Sequence, residues 1–355
     1  MTTPHLWVRA EQRSNETRVG ITPGGVTTLM EAGFRVSVEA SGSRCIETAA
    51  YVATGCDIER EHSWPNAPTD AIILGLKELP EDGTPLRHTH IMFGHAFKGQ
   101  ASGQILLKRF RAGGGTLLDL EYLTDANGRR VAAFGYWAGF AGAAVTLKCW
   151  AAQQRGELAG PVAPYANANA LTADLLTELD ATGAERPTAL IIGALGRVGT
   201  GAADLSKAMN VAVTSWDMAE TAHGGPFPEI LQHNIFLNCI LAGPDTPCFV
   251  PPETGTMPRA LTVIGDIACD PDSDFNPVPV YDRATTWAAP AFRVHDAPPL
   301  DVMAIDNLPS MLPLESSEDF AGQLLPTLRA LDNDTDGVWA RGRATFDAHV
   351  SASGS

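Results

Sequence analysis

The stretch Thr188-Ala-Leu-Ile-Ile-Gly-Ala-Leu-Gly-Arg-Val-Gly-Thr-Gly201, followed nine residues later by Val211-Ala-Val-Thr-Ser-Trp-Asp217, sets the reading of the whole chain. Leu190 to Ile192 is a short apolar run of the kind that forms a buried parallel strand. Gly193, Gly196 and Gly199 follow at intervals of three. Residues 202–209 have helical composition, 211–216 read as a second strand, and Asp217 stands at its end. In this order the first glycine allows a tight turn, the second lets main chain approach a pyrophosphate, and the third lets the helix pack against the strand. The helix start offers free N–H groups and partial positive charge to phosphates. An acid about 20 residues on accepts bonds from ribose hydroxyls; here 217 − 196 = 21. A carboxylate there repels a 2′-phosphate, which favours NAD over NADP. The spacing is Gly-x-x-Gly-x-x-Gly, not Gly-x-Gly-x-x-Gly. Three glycines alone describe a turn in any α/β protein; the strand, helix and acid around them select the dinucleotide.

The bulk composition sets outer limits. With 355 residues, 45% of them hydrophobic and 19% charged, the chain is globular and long enough for two domains. A net charge of −16 leaves no basic stripe for nucleic-acid phosphates, so no nucleic-acid partner is expected. Anionic ligands would need a local basic island. The first residues lack a charged segment followed by a long apolar core, so no signal peptide is expected. No apolar run reaches the length of a membrane span, so neither is a membrane partner. Six cysteines (Cys45, Cys56, Cys149, Cys239, Cys248 and Cys269) show no CxxC pair. They read as thiols of a cytoplasmic protein, without a disulfide frame or metal site.

Along the first third, strands are expected over 6–9, 34–38, 70–75, 90–93 and 115–121. Helices are expected over 22–32, 48–54 and 102–112, the first with Thr22 as cap, Pro23 in the first position and Gly33 as stop. That alternation implies a parallel sheet with crossover helices. Ligands of such sheets bind beyond the carboxyl ends of strands. Lys77 and His95 both lie just past such ends. Residues 132–154 read as a long helix rich in small residues; Arg130 before it and Lys148 within it leave too short a run to cross a membrane. It is expected to be buried and to bridge the domains. A helix over 168–181 precedes the glycine turn. Strands over 234–241, 261–267 and 302–305, a tight loop at 224–227, and helices over 317–331 and 337–350 complete the chain, the last returning to the first domain. The expected fold is α/β with two Rossmann-like domains of parallel strands and a cleft between them. Residues 1–132 with 317–355 would form the substrate domain, and 133–316 the NAD-binding domain.

Several short segments together resemble one family. They are Arg9-Ala10-Glu11, Arg18 with Thr22-Pro23, Gly75-Leu-Lys77-Glu78, and His95 with Phe97-Lys98 and Gln100. Further on come Gly128-Arg-Arg-Val-Ala-Ala-Phe134-Gly with Ala138-Gly-Phe-Ala-Gly-Ala-Ala144, Ile192-Gly-Ala-Leu-Gly-Arg197 and Trp216-Asp217. Gly224-Gly-Pro-Phe227 and Ile305-Asp-Asn-Leu-Pro-Ser310 with Leu312-Pro313 close the set. Over residues 6–350 the chain resembles the NAD-dependent, lysine-forming saccharopine dehydrogenases, within the alanine dehydrogenase and transhydrogenase group. The resemblance implies reversible oxidation of saccharopine by NAD to lysine and 2-oxoglutarate, by a monomer. It implies Lys77 as base and His95 as acid–base group. Arg18, Lys98 and Arg130 would hold carboxylates, with Gln100 and Phe134 lining the substrate. Arg129, Gly193, Gly196, Arg197, Asp217, Thr221, Leu241, Ile267, Ile305, Asp306, Asn307 and Leu308 would line NAD. The chain departs from the pattern at Val198, where fungal members carry a cysteine, so no disulfide joins that position to Cys239. Leu241 and Ala268 stand where polar or aromatic neighbours are expected.

Elementary chemistry agrees with these roles. Hydride leaves a carbon whose nitrogen must be neutral, so a base is needed. Lysine is a poor base at neutral pH unless burial or cationic neighbours lower its pKa. Histidine titrates where water addition and amine expulsion need a proton shuttle. A substrate with three carboxylates needs cations, and arginine meets carboxylates in a planar fork. Taken singly, Lys77 and Lys98 read equally well as solvated loop lysines and His95 as a core histidine. Arg18 reads as a partner of Glu16, and Asp306 as the cap of the next turn. A relative joining another amine to a 2-oxo acid, or a non-catalytic NAD-binding sensor, are the rival readings. Retention of Lys77, His95 and Asp217 speaks against the sensor.

Overall fold

In the computed structural model, which describes residues 3–13 and 15–352, the apolar runs become two six-stranded sheets. Each sheet belongs to its own unit: Met1–Ala133 with Ser316–Ser355, and Phe134–Glu315. The first unit opens with β1 (His5–Val8), α1 (Pro23–Glu31), β2 (Arg35–Glu39), α2 (Thr48–Val52) and β3 (Asp57–Glu59). It continues with β4 (Ile72–Leu74), β5 (Thr89–Met92), α3 (Ala101–Gly113) and β6 (Thr116–Asp119). The strands run in the order β3-β2-β1-β4-β5-β6, all parallel. The α1 start is as expected: the Thr22 hydroxyl accepts from the Gly25 N–H at 3.2 Å, and Gly33 takes φ +91 beyond the end. The strand β3 was not anticipated. It is a three-residue edge strand of acid, isoleucine and acid, which carries no apolar pattern.

The second unit holds α4 (Gly135–Gln154), α5 (Ala168–Ala181), β7 (Thr188–Ile192), α6 (Arg197–Ala208), β8 (Ala212–Trp216) and α7 (Met218–Thr221). Then follow β9 (Ile235–Asn238), β10 (Val263–Asp266), β11 (Phe292–Asp296) and β12 (Pro299–Met303). The order is β11-β12-β10-β9-β7-β8, parallel throughout except for β11, which pairs antiparallel with β12. The expected bridging helix is a different object. All of α4 lies inside the second unit, and residues 139–153 are buried there. Its glycines decide this, because a Cβ at Gly139 would overlap the Val198 carbonyl of α6, and one at Gly201 of α6 the Tyr136 carbonyl of α4. Lys148, the one charged residue of α4, is satisfied by Asp174 at 2.7 Å and Glu178 at 2.5 Å on α5. The helix after the glycine turn also begins earlier than its composition suggested, at Arg197, taking Gly199 and Gly201 into its first turns.

The chain re-enters the first unit through α8 (Pro313–Arg329) and α9 (Val338–Ala352). Phe320 of α8 meets Phe93 at 5.9 Å, and Phe346 of α9 meets Phe110 of α3 at 5.7 Å. The last helix thus packs on the first unit as expected. Among the described residues no helix is long and apolar enough to cross a membrane. All six cysteines are free.

Candidate active site

The first unit's strand order changes direction between β1 and β4, the place where open parallel sheets hold ligands. Lys77 follows β4, His95 follows adjacent β5, and Glu121 follows β6, so sheet order collects residues far apart in sequence. His95 has φ +47, a conformation that aims its ring between two carboxylates. Its Nε2 lies 3.3 Å from Glu78 Oε1 and its Nδ1 3.7 Å from Glu121 Oε2. The Phe93 ring stacks on it at 6.2 Å. Glu121 Oε1 also accepts from Lys98 Nζ at 2.9 Å and from Arg130 Nη2 at 3.1 Å.

The charges act on one another. The hydrogen bond to Glu121 first, then the charges of Glu78, Asp119 and Glu121, raise the His95 pKa against the opposing effect of burial. His95 first, then Lys98 and Arg130, pull the Glu121 carboxyl down to about 2. Behind them Asp119 is almost wholly buried, and that burial pushes its pKa up to about 6. Its two oxygens accept from the Gly94 N–H at 3.2 Å and the Glu121 N–H at 2.9 Å, joining the two loops that carry His95 and Glu121. Arg18 is buried and forks onto Glu16, with Nε at 2.8 Å and Nη2 at 2.6 Å. Burial would raise the Glu16 pKa, but the bonds from Arg18 outweigh it, with a smaller pull from Lys77.

Three acids, Glu78, Asp119 and Glu121, therefore belong to the constellation although no role was read for them. Their one sequence signal is position, within four residues of a strand's carboxyl end. Gln100 is exposed and caps α3 with its main chain. Arg129 is exposed on the turn closed by Asp125, whose Oδ1 accepts its N–H at 2.9 Å. Phe134 is half-buried and immediately precedes α4 in the second unit.

The second unit's equivalent edge lies past β7, which sits between β8 and β9. Gly193 takes φ +86, and a Cβ at Gly199 would overlap the Gly193 carbonyl. Gly196 caps α6 without a side-chain bond, and Arg197 stands exposed in its first position. Asp217 Oδ2 accepts from the Leu195 N–H at 3.0 Å and Oδ1 from the Met218 N–H at 2.9 Å, tying the glycine turn to the end of β8. Thr221 donates its hydroxyl to the Asp217 carbonyl at 3.0 Å. Leu195, Met218 and Leu241, past the ends of three adjacent strands, are 84%, 82% and 77% exposed. An uncapped helix start, a glycine cradle, an acid and exposed apolar side chains fit a dinucleotide.

Ile267, Ile305 and Leu308 lie elsewhere, in the hydrophobic core, so any ligand contact of theirs runs through main chain. Asp306 is exposed; Asn307, with φ +66, takes the cap position of the following turn and donates Nδ2 to Ser310 Oγ at 2.8 Å. A network not anticipated closes the base of this edge. The buried Asp266 accepts from Asn238 Nδ2 at 2.9 Å and the Tyr281 hydroxyl at 2.7 Å.

Acids, cations and a histidine past the strands of one Rossmann-like unit, and a glycine turn with an acid past those of another, make up the layout of the alanine dehydrogenase and transhydrogenase type of two-domain α/β fold. The family model "Alanine dehydrogenase/PNT, N-terminal domain" matches residues 7–141. The fold is shared with a solved L-alanine dehydrogenase, at TM-score 0.71 and 18% identity over 98% of this chain and 99% of that one. It is shared also with a transhydrogenase from Sinorhizobium meliloti, at TM-score 0.61 and 16% identity over 92% and 94%. Sequence relatives are nearer. Saccharopine dehydrogenase (NAD(+), L-lysine-forming) of Candida albicans is 45% identical over 98% of this chain and 97% of its own. The enzymes of that name from Yarrowia lipolytica and Schizosaccharomyces pombe are 45% and 42% identical over 99% of both chains. The chain belongs to this saccharopine dehydrogenase family.

Proposed function

We propose that the protein catalyses the reversible, NAD-dependent oxidative cleavage of saccharopine to lysine and 2-oxoglutarate. The observation that carries this reading is the array past β4, β5 and β6, in which Glu78, His95, Lys98, Glu121 and Arg130 are linked through their side chains and Lys77 stands next to Glu78, in a chain of this family. Bound NAD supplies the hydride acceptor. Lys77 takes the proton from the substrate's secondary amine, so that hydride departs from carbon next to a neutral nitrogen. Water adds to the resulting imine carbon, and the carbon–nitrogen bond of that adduct then breaks to release lysine and the oxo acid. His95 moves the protons of these two steps, with Glu78 and Glu121 setting the pH at which it holds one.

Lys98 and Arg130 already share one carboxylate, that of Glu121, which supports a role for the pair in seating a substrate carboxylate. Arg18, buried and forked onto Glu16, is read as a further cation for a substrate carboxylate. On the second unit the uncapped start of α6 takes the pyrophosphate. Asp217, with Glu220 bonded to its N–H at 2.7 Å, takes the ribose and disfavours a 2′-phosphate. The reading is of a cytoplasmic monomer acting on small molecules, a compartment in keeping with six free thiols. The test follows NADH consumption with lysine and 2-oxoglutarate, with NADPH in parallel. Rapid loss of NADH and little of NADPH is expected. Silence with lysine and consumption with another amine would move the chain to a different member of the same chemistry.

A further inference from the structure

Arg9-Ala10-Glu11 has no task in the chemistry above, yet it lies at the direction change of the first sheet, directly past β1 and beside the end of β4. The Arg9 N–H continues the ladder by donating to the Leu74 carbonyl at 3.0 Å. The chain then leaves the sheet, and three side-chain bonds take over from the ladder. Glu11 Oε1 accepts from the Leu76 N–H at 2.7 Å, and Oε2 from the Lys77 N–H at 3.0 Å. Arg9 Nη2 donates to the Lys77 carbonyl. The two side chains are themselves paired, Arg9 Nη1 lying 3.3 Å from Glu11 Oε2. Gly75 makes the arrangement possible, since a Cβ there would run into the Arg9 guanidinium.

We propose that Arg9 and Glu11 are positioning residues for Lys77, a clamp that fixes the main chain from which that side chain projects. The proposal rests on the reading of Lys77 as the base. Its physical ground is a comparison of costs. The Arg9 side chain is wholly buried and that of Glu11 nearly so. A buried ion pair contributes little net stability, because desolvation offsets the attraction, and apolar replacements often do as well. Arg9 Nε, moreover, is buried with no hydrogen-bond partner among the described residues. What the pair supplies and an apolar pair could not is a set of bonds to both main-chain groups of residue 77. On the β5 side the ladder runs on to the Leu76 carbonyl, which accepts from the Phe93 N–H at 2.9 Å, and the bonds from Arg9 and Glu11 carry the hold one residue further, to Lys77. The same segment carries Glu78, whose carboxylate meets His95, so the clamp sets the root of two groups of the array at once.

The test uses Glu11→Gln and Glu11→Asp, each alone and combined with Lys77→Met. Turnover, KM for saccharopine, the NAD dissociation constant and the thermal midpoint are measured for each. Glu11→Gln removes one acceptor, and its kcat is expected to fall roughly 10- to 100-fold, as displacement of a reacting group by about 1 Å does. KM and NAD affinity are expected to stay near their starting values. Glu11→Asp keeps both acceptors on a shorter arm, and is expected to recover part of the loss. In the Lys77→Met background Glu11→Gln is expected to lower the residual rate by a clearly smaller factor, since the main group it positions is gone and only Glu78 remains to be displaced. Unchanged kcat in Glu11→Gln overturns the proposal. So does the same fold-loss in both backgrounds, or loss of folding in both Glu11 variants, each of which marks a purely structural role. Lys77→Met with near-normal turnover would instead sink the reading of Lys77 as base, whatever Glu11 does.

Discussion

Both sheets have six strands and are parallel or nearly so, but their carboxyl edges are furnished in opposite ways. The edge past β4, β5 and β6 is made of side chains: two glutamates, a histidine, a lysine and an arginine within reach of one another. The edge past β7, β8 and β9 is made mostly of main chain. A glycine turn and an uncapped helix start form it, with one carboxylate bonded to two backbone N–H groups. Proton transfer needs titratable groups whose pKa values neighbours can move, whereas a pyrophosphate needs fixed N–H donors and space. What each edge is built from thus suits the role proposed for it. Substitutions at the first should change rate and pH dependence, and those at the second affinity and cofactor choice.

The sharpest way to break this contrast is Lys77→Met. Turnover should fall by roughly 10²- to 10⁴-fold, the usual weight of a general base, while the NAD dissociation constant holds; equal loss of both would erase the distinction. At the other edge Gly199→Val should do the reverse. Its side chain would overlap the Gly193 carbonyl, weakening NAD binding and costing about 1–3 kcal/mol of stability by overpacking, as nucleotide titration and urea melts would report. Asp217→Ala should lower the ratio of NADH to NADPH activity about tenfold, a change worth about 1.4 kcal/mol. A ratio that stays put would mean that discrimination resides elsewhere.

Glu121→Gln should move the histidine limb of the pH–rate profile to lower pH. Glu121 is the largest cause of the raised His95 pKa, and without its charge the imidazolium gives up its proton earlier. A limb that stays in place or rises would remove Glu121 from that role. The smallest effect concerns the strand beneath. His90 of β5 is fully buried against Trp64 at 5.0 Å and Phe110 at 5.5 Å, and neither ring nitrogen has a hydrogen-bond partner among the described residues. Burial first, then Arg9, His88 and Arg109, hold its pKa well below the usual value. The folded protein keeps it neutral while the unfolded chain takes a proton below about pH 6.5. Stability present above that pH is therefore lost on acidification, by up to about 1.4 kcal/mol per pH unit until the folded state also protonates. His90→Leu should flatten that slope, read as the difference in urea midpoint between neutral and mildly acid solution.

Some of the architecture was legible residue by residue. Thr22-Pro23 and Gly33 bracket α1, the helix expected over 168–181 is α5 as found, and the glycine turn with Asp217 lies where its motif put it. Other parts were not. The edge strands β3 and β11 have no run of apolar residues to announce them, because an edge strand owes its existence to the neighbour it pairs with. The small residues of 132–154 suggested a bridge, but their meaning is close contact between α4 and α6.

By itself the sequence determined the elements whose causes lie within a turn or two of chain: caps, stops, apolar periods, the glycine turn, and the types of titratable residue available past the strands. Only the tertiary structure decided which charges meet. His95 lies between acids 17 residues before it and 26 after it (95 − 78 and 121 − 95). Glu11 bonds main chain 65 and 66 residues on. Coulomb and hydrogen-bond energies depend on separation in space. That separation is set by the order of strands in a sheet, which no local signal along the chain encodes.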